Sequence, residues 1–210
     1  MKTKLLLFCL LWLSACSAPV PTVAPQIIRV QASAFTTPWL AQAYDCADQL
    51  QLTLLAVNDP AQADLSLRFG EAPSLQTPAY QIDQDELLVV TGASNPLPEF
   101  SNTDVQAWFA APGTQDGSLW VYPSGQDAQQ VFVREVLQGK AVSSVAWIAT
   151  SPRQMISALQ KDPRALGILS KKWQDDSLRV LYSLPGVPVL AVTKSNPQGG
   201  LQALLACLQQ

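Results

Sequence analysis

Short apolar runs alternate with amphipathic stretches along most of the chain, a pattern that predicts strands separated by helices. Residues 27–31 form a β-rich run. A helix is predicted to begin at Pro38, with Thr37 as its cap, and to end at about Leu50, because its apolar residues recur on one stripe. The apolar run at 52–57 then predicts a buried strand, which an Asn-Asp-Pro sequence ends.

The alternation of strands and helices continues to the C-terminus. Further strands are predicted at 64–69, 86–90, 119–122, 166–169 and 187–193. Further helices are predicted at 101–109, where Ser101 and Asp104 form a capping-box pattern, at 124–137, at 152–162 and at about 197–209. Because strands and helices alternate through short connections, the sequence predicts an α/β fold with a parallel or mixed sheet.

The N-terminal segment differs in composition from the rest of the chain. Two lysines precede an apolar run at 5–12, which is too short for a membrane-spanning helix of roughly 20 residues. The run ends in Leu-Ser-Ala-Cys at 13–16, a sequence similar to the lipobox of bacterial lipoproteins. We therefore expect residues 1–15 to be a signal peptide and Cys16 to be lipidated. An ordinary secretory signal with an incidental cysteine is the alternative.

Residues 16–25 combine Cys16 with a proline-rich tether, since three of the nine residues after the cysteine are proline. Proline favours polyproline II at about 3.1 Å per residue, so the tether can span roughly 25–30 Å. Acyl chains on Cys16 would hold the protein at the bacterial cell membrane, on its periplasmic or extracellular face. The sequence therefore predicts an exported, lipid-anchored protein.

The composition excludes several kinds of site. The chain has no histidine, which rules out a Ser-His-Asp triad, a Cys-His pair and a HExxH zinc site. A formal net charge of −3 argues against nucleic-acid binding, which needs a basic face. The acidic residues at 45, 48, 83, 85 and 86 show no distinctive pairing for catalysis. We therefore expect neither an enzyme nor a cofactor or metal site.

Two cysteines remain in the part of the chain expected to fold, Cys46 and Cys207, and both lie in predicted helices. In an oxidising compartment a disulfide between them would tie the first helix to the last. Because the closed loop would hold about 160 residues, the bond would contribute on the order of 3–5 kcal/mol. The sequence suggests no metal site for these thiols, which favours the disulfide. Two free buried thiols are the alternative.

Five segments after residue 26 occur in the order typical of one known family. They are Val-Gln-Ala-Ser-Ala-Phe-Thr-Thr-Pro at 30–38, Ala-Asp-Leu-Ser at 63–66 with Glu-Ala-Pro at 71–73, Leu-Val-Val-Thr-Gly-Ala-Ser-Asn-Pro at 88–96 with Val-Gln-Ala-Trp-Phe at 105–109, Ser-Gly at 124–125 with Phe132, and Asp-Pro-Arg-Ala-Leu-Gly-Ile at 162–168. In these segments the chain resembles the type II periplasmic solute-binding proteins. Among them it is most similar to the phosphate-binding component of phosphate ABC transporters.

The resemblance implies a two-lobed fold with mixed sheets, flanking helices and a ligand cleft between the lobes. The first lobe would hold residues 26–90 together with the returning segment 181–210, and the second would hold 91–180. The implied function is that of a membrane-anchored lipoprotein that binds phosphate or another small oxyanion and delivers it to an ABC permease. A monomer is expected.

Two predicted helix starts would offer backbone N–H groups and hydroxyls to an anion in the cleft. The residues assigned to this site are Ser33, Phe35, Thr36 and Thr37 before the first helix, and Ser124, Gly125, Gln126 and Asp127 at the helix of the second lobe. Arg68 would donate two hydrogen bonds to an oxyanion, with a surface salt bridge as the alternative. The resemblance assigns to Glu71 the acid that accepts a proton from hydrogen phosphate.

The sequence departs from the family motif at two places. Gln126 replaces the threonine of Ser-Gly-Thr, and the arginine that commonly precedes the Ser-Gly pair is absent. These departures keep a second hypothesis open, in which a degenerate binding-protein-like lipoprotein acts as a sensor or interaction module without a transported ligand. Ordinary helix capping would also explain Ser124 with Asp127, and Thr37 with Pro38. The tryptophans at 39, 108, 120, 147 and 173 are expected in the core.

Overall fold

The computed structural model describes residues 26–71, 76–110 and 117–210. The predicted signal peptide, the lipidated Cys16 and the tether at 16–25 lie outside the described residues, as do the second and third residues of the 71–73 segment. Within the described part of the chain, no helix is both long enough and apolar enough to cross a membrane.

Eight strands in the described residues form two sheets. They are β1 (Ile27–Ala32), β2 (Thr53–Ala56), β3 (Leu65–Phe69), β4 (Ala79–Gly92), β5 (Trp120–Val121), β6 (Trp147–Ile148), β7 (Leu166–Ser170) and β8 (Leu178–Thr193). Six strands form one sheet in the order β2-β1-β3-β8-β4-β7, and β5 pairs with β6 in parallel. β1 is parallel to β2 and β3, whereas β8 is antiparallel to β3 and β4. The predicted α/β class with mixed sheets is confirmed.

Helices flank this sheet. They are α1 (Thr37–Gln49), α2 (Asn102–Phe109), α3 (Asp127–Val131), α4 (Pro152–Lys161) and α5 (Gly199–Leu208). α3 continues as a π-helix over Phe132–Val136, and short 3₁₀ helices occupy Pro60–Gln62 and Lys171–Trp173. α1 contacts α5, and α4 lies against β7. The predicted capping box of α2 is present, because Ser101 Oγ accepts from the Asp104 N–H and Asp104 Oδ2 accepts from the Ser101 N–H.

β4 and β8 are much longer than the predicted strands at 86–90 and 187–193. They pair with each other along most of their length. The end of β8 at 189–193 also pairs with β3, and the end of β4 at 87–91 also pairs with β7, so the two strands join the opposite sides of the sheet. The predicted lobe boundaries at 90 and 181 fall within these strands, and the division into lobes stays a prediction.

Two expectations about burial are wrong. The strand predicted to be buried at 52–57 is the edge strand β2, and Leu55 is 50% exposed there. Trp147 on the two-residue strand β6 is 61% exposed. Its ring stacks on that of Trp120, with the centroids 5.9 Å apart. Trp39 is fully buried as expected.

A disulfide joins Cys46 of α1 to Cys207 of α5, with a Cα–Cα distance of 5.9 Å. This is the pairing that the sequence favours over two free thiols. The buried residues of the two helices, Trp39, Ala43, Ala47, Leu204, Leu205 and Leu208, belong to the hydrophobic core. The disulfide therefore links the first and last helices where they contact each other.

Candidate functional site

A cavity of about 790 Å³ lies beside β3 and the turn that precedes α3. Its polar lining residues are Gln31, Ser33, Ser66, Arg68, Gln76, Thr77, Gln126, Asp127, Thr193 and Lys194. Seven of these ten side chains carry a hydroxyl or an amide group. Arg68 and Lys194 bring positive charge, and Asp127 brings a carboxylate. The combination suits a small polar or charged molecule rather than an apolar one.

The cavity brings together half of the residues that the sequence analysis assigned to ligand binding. Those that line it are Ser33, Arg68, Gly125, Gln126 and Asp127. The cavity lining does not include Phe35, Thr36, Thr37, Glu71 or Ser124. The two groups therefore have different structural roles.

The turn from Ser33 to Thr37 uses its own hydroxyl groups. The Ser33 N–H donates to Thr36 Oγ1 at 3.0 Å, and the buried Thr36 hydroxyl lies 3.4 Å from the Leu67 carbonyl of β3. The Thr37 hydroxyl donates to the Ala34 carbonyl at 3.0 Å. The N-cap of α1 is Thr36, without a side-chain cap, so the predicted Thr37 cap is wrong. Ser33 is the residue of this turn that lines the cavity.

Phe35 belongs to the hydrophobic core. Its fully buried ring packs edge-on against Phe69 and Tyr122, with centroid distances of 4.8 Å and 5.5 Å. Its carbonyl accepts a hydrogen bond from Trp173 Nε1 at 2.8 Å. Phe35 therefore fixes the turn before α1 against β3 and the end of β5, and contributes to the site by holding these elements in place.

The helix predicted to begin at Ser124 begins at Asp127, with Gln126 as its N-cap. The predicted Ser124 cap is wrong, because the Gln126 N–H donates to the Pro123 carbonyl at 2.9 Å and closes a turn before the helix starts. Ser124 is exposed and lines a separate cavity of about 940 Å³. α3 has five residues before it continues as a π-helix, and the full charges at the site come from side chains.

Arg68 is the main cationic group of the cavity. Ser66 and Arg68 share one face of β3, because they alternate along the strand with the buried Leu65, Leu67 and Phe69. Arg68 Nη2 donates to Gln130 Oε1 of α3, so its partner in the described part of the chain is an amide rather than a carboxylate. Its Nε atom is buried and has no acceptor among the described residues. The guanidinium therefore retains a donor that no described residue uses.

Asp127 connects α3 to β3. Its Oδ2 atom accepts the Phe69 N–H at 2.8 Å, and its Oδ1 atom accepts the Ala128 N–H at 2.9 Å. The residue is 6% exposed. Burial raises the pKa of Asp127, and the two N–H donors and the Arg68 charge offset only part of that effect. Burial, together with the Asp127 charge, also raises the pKa of the Tyr122 phenol.

Glu71 does not supply the carboxylate of this cavity. The residue is exposed, and its backbone carbonyl accepts from Arg134 Nη1 at 2.8 Å. The acid that lines the cavity is Asp127, which comes from the Ser-Gly-Gln-Asp sequence. The proton-accepting role that the resemblance assigns to Glu71 therefore stays a prediction without structural support.

Six polar lining residues were not assigned from the sequence, namely Gln31, Ser66, Gln76, Thr77, Thr193 and Lys194. Ser66 alternates with the buried Leu65 and Leu67, a signal that places it on the face of Arg68. Lys194 directly follows the predicted strand at 187–193, but nothing local indicates which edge of the sheet that strand reaches. In the described ranges no group of three or more acidic or cysteine residues could hold a metal ion.

No sequence-family model and no curated protein matches the chain. The structure is similar to that of a protein from Clostridium perfringens, solved with bound phosphate and assigned provisionally as a phosphate ABC transporter substrate-binding protein. The TM-score is 0.76 at 13% identity, over 87% of this chain and 93% of the other. An ABC-type phosphate transport receptor from Vibrio cholerae gives a TM-score of 0.67 at 15% identity, over 87% and 93%.

A third similar structure is a regulatory domain rather than a transport protein. A sulfate-bound mutant of the OxyR2 regulatory domain from Vibrio vulnificus gives a TM-score of 0.64 at 11% identity, over 88% of this chain and 94% of the other. At these identities the likeness concerns the fold alone, because one fold hosts many functions. The chain has the α/β fold of the type II periplasmic-binding proteins.

Proposed function

We propose that the cavity beside β3 binds a small oxyanion, phosphate or a related one, and that the chain is the solute-binding lipoprotein of an ABC transporter. The observation that carries the proposal is Arg68, which lines a cavity with several hydroxyl and amide side chains and is paired with an amide rather than a carboxylate among the described residues. A guanidinium is suited to planar or tetrahedral oxyanions, since it presents several fixed donors. The proposal assigns no catalytic chemistry to the chain.

The similar structures support the same ligand class. One of them was solved with phosphate and another with sulfate, and both have the fold of this chain. The lipobox-like sequence at 13–16 supports a lipid anchor and export to the outer face of the cell membrane. A permease partner in that membrane is part of the same proposal. A tethered monomer that captures an anion and passes it to a membrane permease is consistent with each of these features.

A thermal-unfolding panel on the purified full chain in detergent tests the ligand class. Phosphate, sulfate, molybdate and tungstate are added in turn. A bound anion at a hundredfold excess over its dissociation constant adds about 2.7 kcal/mol to the free energy of unfolding. For a chain of this size that corresponds to a rise in melting temperature of roughly 5–10 °C.

Arg68→Met is the matched test of the site. It removes a charge-assisted donor, so we expect the anion affinity to fall roughly ten- to a hundredfold. Arg153→Met removes the same charge from an exposed position on α4 and should leave the affinity unchanged. If no anion raises the melting temperature of the unmodified chain, or if both variants lose affinity equally, the proposed site is wrong.

A second candidate function has its own observation. Asp127 accepts the Phe69 N–H and brings a carboxylate into the cavity. The negative charge of that carboxylate opposes the binding of an oxyanion. A sensor or interaction module without a transported ligand would tolerate this arrangement. That function is favoured if the anion panel stabilises neither the unmodified chain nor a variant in which Asp127 is neutralised.

A further inference from the structure

The Asp127 carboxylate lines the cavity and already interacts with two groups of the kind that bind anions, a backbone N–H and a guanidinium. It accepts the Phe69 N–H at 2.8 Å and lies close enough to Arg68 to be stabilised by its charge. Phe69 ends β3 and Asp127 begins α3, so this contact joins two elements that border the cavity. A carboxylate and a small oxyanion carry the same sign of charge and accept the same hydrogen bonds.

We propose that the Asp127 carboxylate is an internal anion that competes with an external oxyanion for these donors, so that the oxyanion binds together with one proton, which Asp127 takes up. The inference rests on the proposed oxyanion function and adds to it a regulation by pH. It makes Asp127 the residue that sets the affinity of the cavity at neutral pH.

The elements that border Asp127 and the cavity carry several charged and titratable groups. Arg68 lies on β3, Tyr122 directly follows β5, Lys194 follows β8, and Arg134 lies on the π-helix. Tyr122 is 1% exposed and stays neutral, because its pKa is raised by burial. Arg134 is already paired with Glu135 and with the Glu71 carbonyl, and Lys194 is exposed to solvent.

Arg68 is therefore the cation with which both the Asp127 carboxylate and a bound anion would interact. Two negative charges that share one guanidinium repel each other, and the repulsion disappears when one of them takes up a proton. Burial already raises the pKa of Asp127, which makes it the acceptor of that proton. For one linked proton, the affinity for an anion that does not itself titrate rises by up to about tenfold for each pH unit of acidification.

Sulfate is the probe, since it remains a dianion from mildly acid to alkaline pH. Its affinity is measured by isothermal titration calorimetry on the full chain in detergent at about pH 5 and about pH 8, with buffers of different ionisation enthalpy to count protons. We expect tighter binding at acid pH and uptake of one proton by the unmodified chain. Asp127→Asn should bind sulfate with a pH-independent affinity, at least about tenfold tighter than the unmodified chain at about pH 8.

Asp45→Asn is the matched control, because Asp45 is an exposed carboxylate of α1 that does not line the cavity. It should reproduce the pH dependence of the unmodified chain. Circular dichroism establishes that both variants are folded before binding is compared. A pH-independent sulfate affinity in the unmodified chain overturns the internal-anion proposal and leaves oxyanion binding intact. The same conclusion follows if Asp127→Asn binds phosphate but does not bind sulfate. Absence of any anion binding to both proteins overturns both proposals.

A second measurement needs no ligand. The amide resonance of Phe69 in the ligand-free chain should move with pH as Asp127 titrates, and the titration should be absent in Asp127→Asn. Asp45→Asn should leave it unchanged. A Phe69 amide that does not respond to pH in the unmodified chain contradicts the proposal, because the carboxylate on its N–H would then not take up a proton.

Discussion

Gly70 allows β3 and α3 to approach each other beside the cavity. Its φ is +77°, and a β-carbon built on it would lie 2.2 Å from Cγ2 of Val131 on α3. The adjacent Phe69 donates its N–H to Asp127, so the close approach and the carboxylate contact occur at the same place. Backbone conformation and packing therefore both require glycine at position 70.

Replacing Gly70 by alanine should destabilise the protein more than the backbone conformation alone explains. Gly139 is the matched control, since its φ is +80° and a β-carbon there meets nothing within 4 Å. We expect Gly139→Ala to cost about 1–2 kcal/mol and Gly70→Ala about 2–5 kcal/mol of unfolding free energy. Urea denaturation measures both. Equal costs would mean that α3 moves away from β3 without loss.

Individual site residues were predictable from sequence only where they sit in a local motif. Ser33 and Asp127 belong to short polar sequences before predicted helices, and Arg68 stands out as a charge on a strand. The choice between Glu71 and Asp127 as the cavity acid was not predictable. It depends on the contact between Asp127 and the Phe69 N–H, which are 58 residues apart in the sequence. No local pattern encodes such a long-range contact.

At the level of helices, the same Ser-x-x-Asp pattern has two outcomes in this chain. At Ser101 it forms a capping box with Asp104. At Ser124 it does not, because Ser124 lies inside the turn that the Gln126 N–H closes on the Pro123 carbonyl, and Gln126 is the N-cap of α3. A serine caps a helix when it is itself the N-cap residue, typically with an extended backbone, and Ser101 has that position and conformation.

Alanine at these two serines should separate a true cap from an apparent one. Ser101→Ala removes the acceptor for the Asp104 N–H and should cost about 1 kcal/mol of unfolding free energy. Ser124→Ala removes no cap from α3 and should stay within about 0.5 kcal/mol of the unmodified chain. Thermal or urea unfolding measures both. A cost for Ser124→Ala as large as that for Ser101→Ala would contradict the observed start of α3.

The strands show a similar limit of sequence reading. β4 covers Ala79–Gly92, although the sequence predicts a strand at 86–90 only. Its register with β8 shifts between Gln81 and Asp83 and again between Asp85 and Leu87. Each shift interrupts the alternation of inward and outward residues, so the period-two signal is lost over the polar first half of the strand. Pairing with β8, which is distant in sequence, specifies that half instead.

The link between α1 and α5 should contribute strongly to stability. The disulfide joins Cys46 to Cys207 across 161 positions, so it restricts the unfolded chain over most of its length. We expect the double variant with alanine at both positions to lose about 3–5 kcal/mol of unfolding free energy. Guanidinium denaturation with and without reductant measures the effect. Reductant should destabilise the unmodified chain by a similar amount and leave the double variant unchanged; an equal response of both proteins would contradict this assignment.

For the whole molecule, the order of the motifs predicted the fold class, but not the strands and contacts that connect the two predicted lobes. β4 and β8 pair with each other, β8 also pairs with β3, and β4 also pairs with β7. The Trp173 indole donates to the Phe35 carbonyl, 138 residues away in the sequence. Asp83 on β4 also accepts from Trp39 Nε1 of α1 and pairs with Lys172. The predicted lobes therefore share strands and polar contacts.

Shared strands should make the two predicted lobes unfold together, because neither can lose β4 and β8 without disrupting the other. We expect urea unfolding followed by far-UV circular dichroism and by tryptophan fluorescence to give one coincident transition. A Trp39→Phe, Trp173→Phe variant leaves Trp108, Trp120 and Trp147 as the reporters among the described residues, whereas a Trp108→Phe, Trp120→Phe, Trp147→Phe variant leaves Trp39 and Trp173. In each variant the fluorescence and dichroism transitions should coincide, even where the substitution shifts the midpoint. Two separated transitions in either variant would mean that the lobes are independent folding units and that β4 and β8 connect them without coupling their stability.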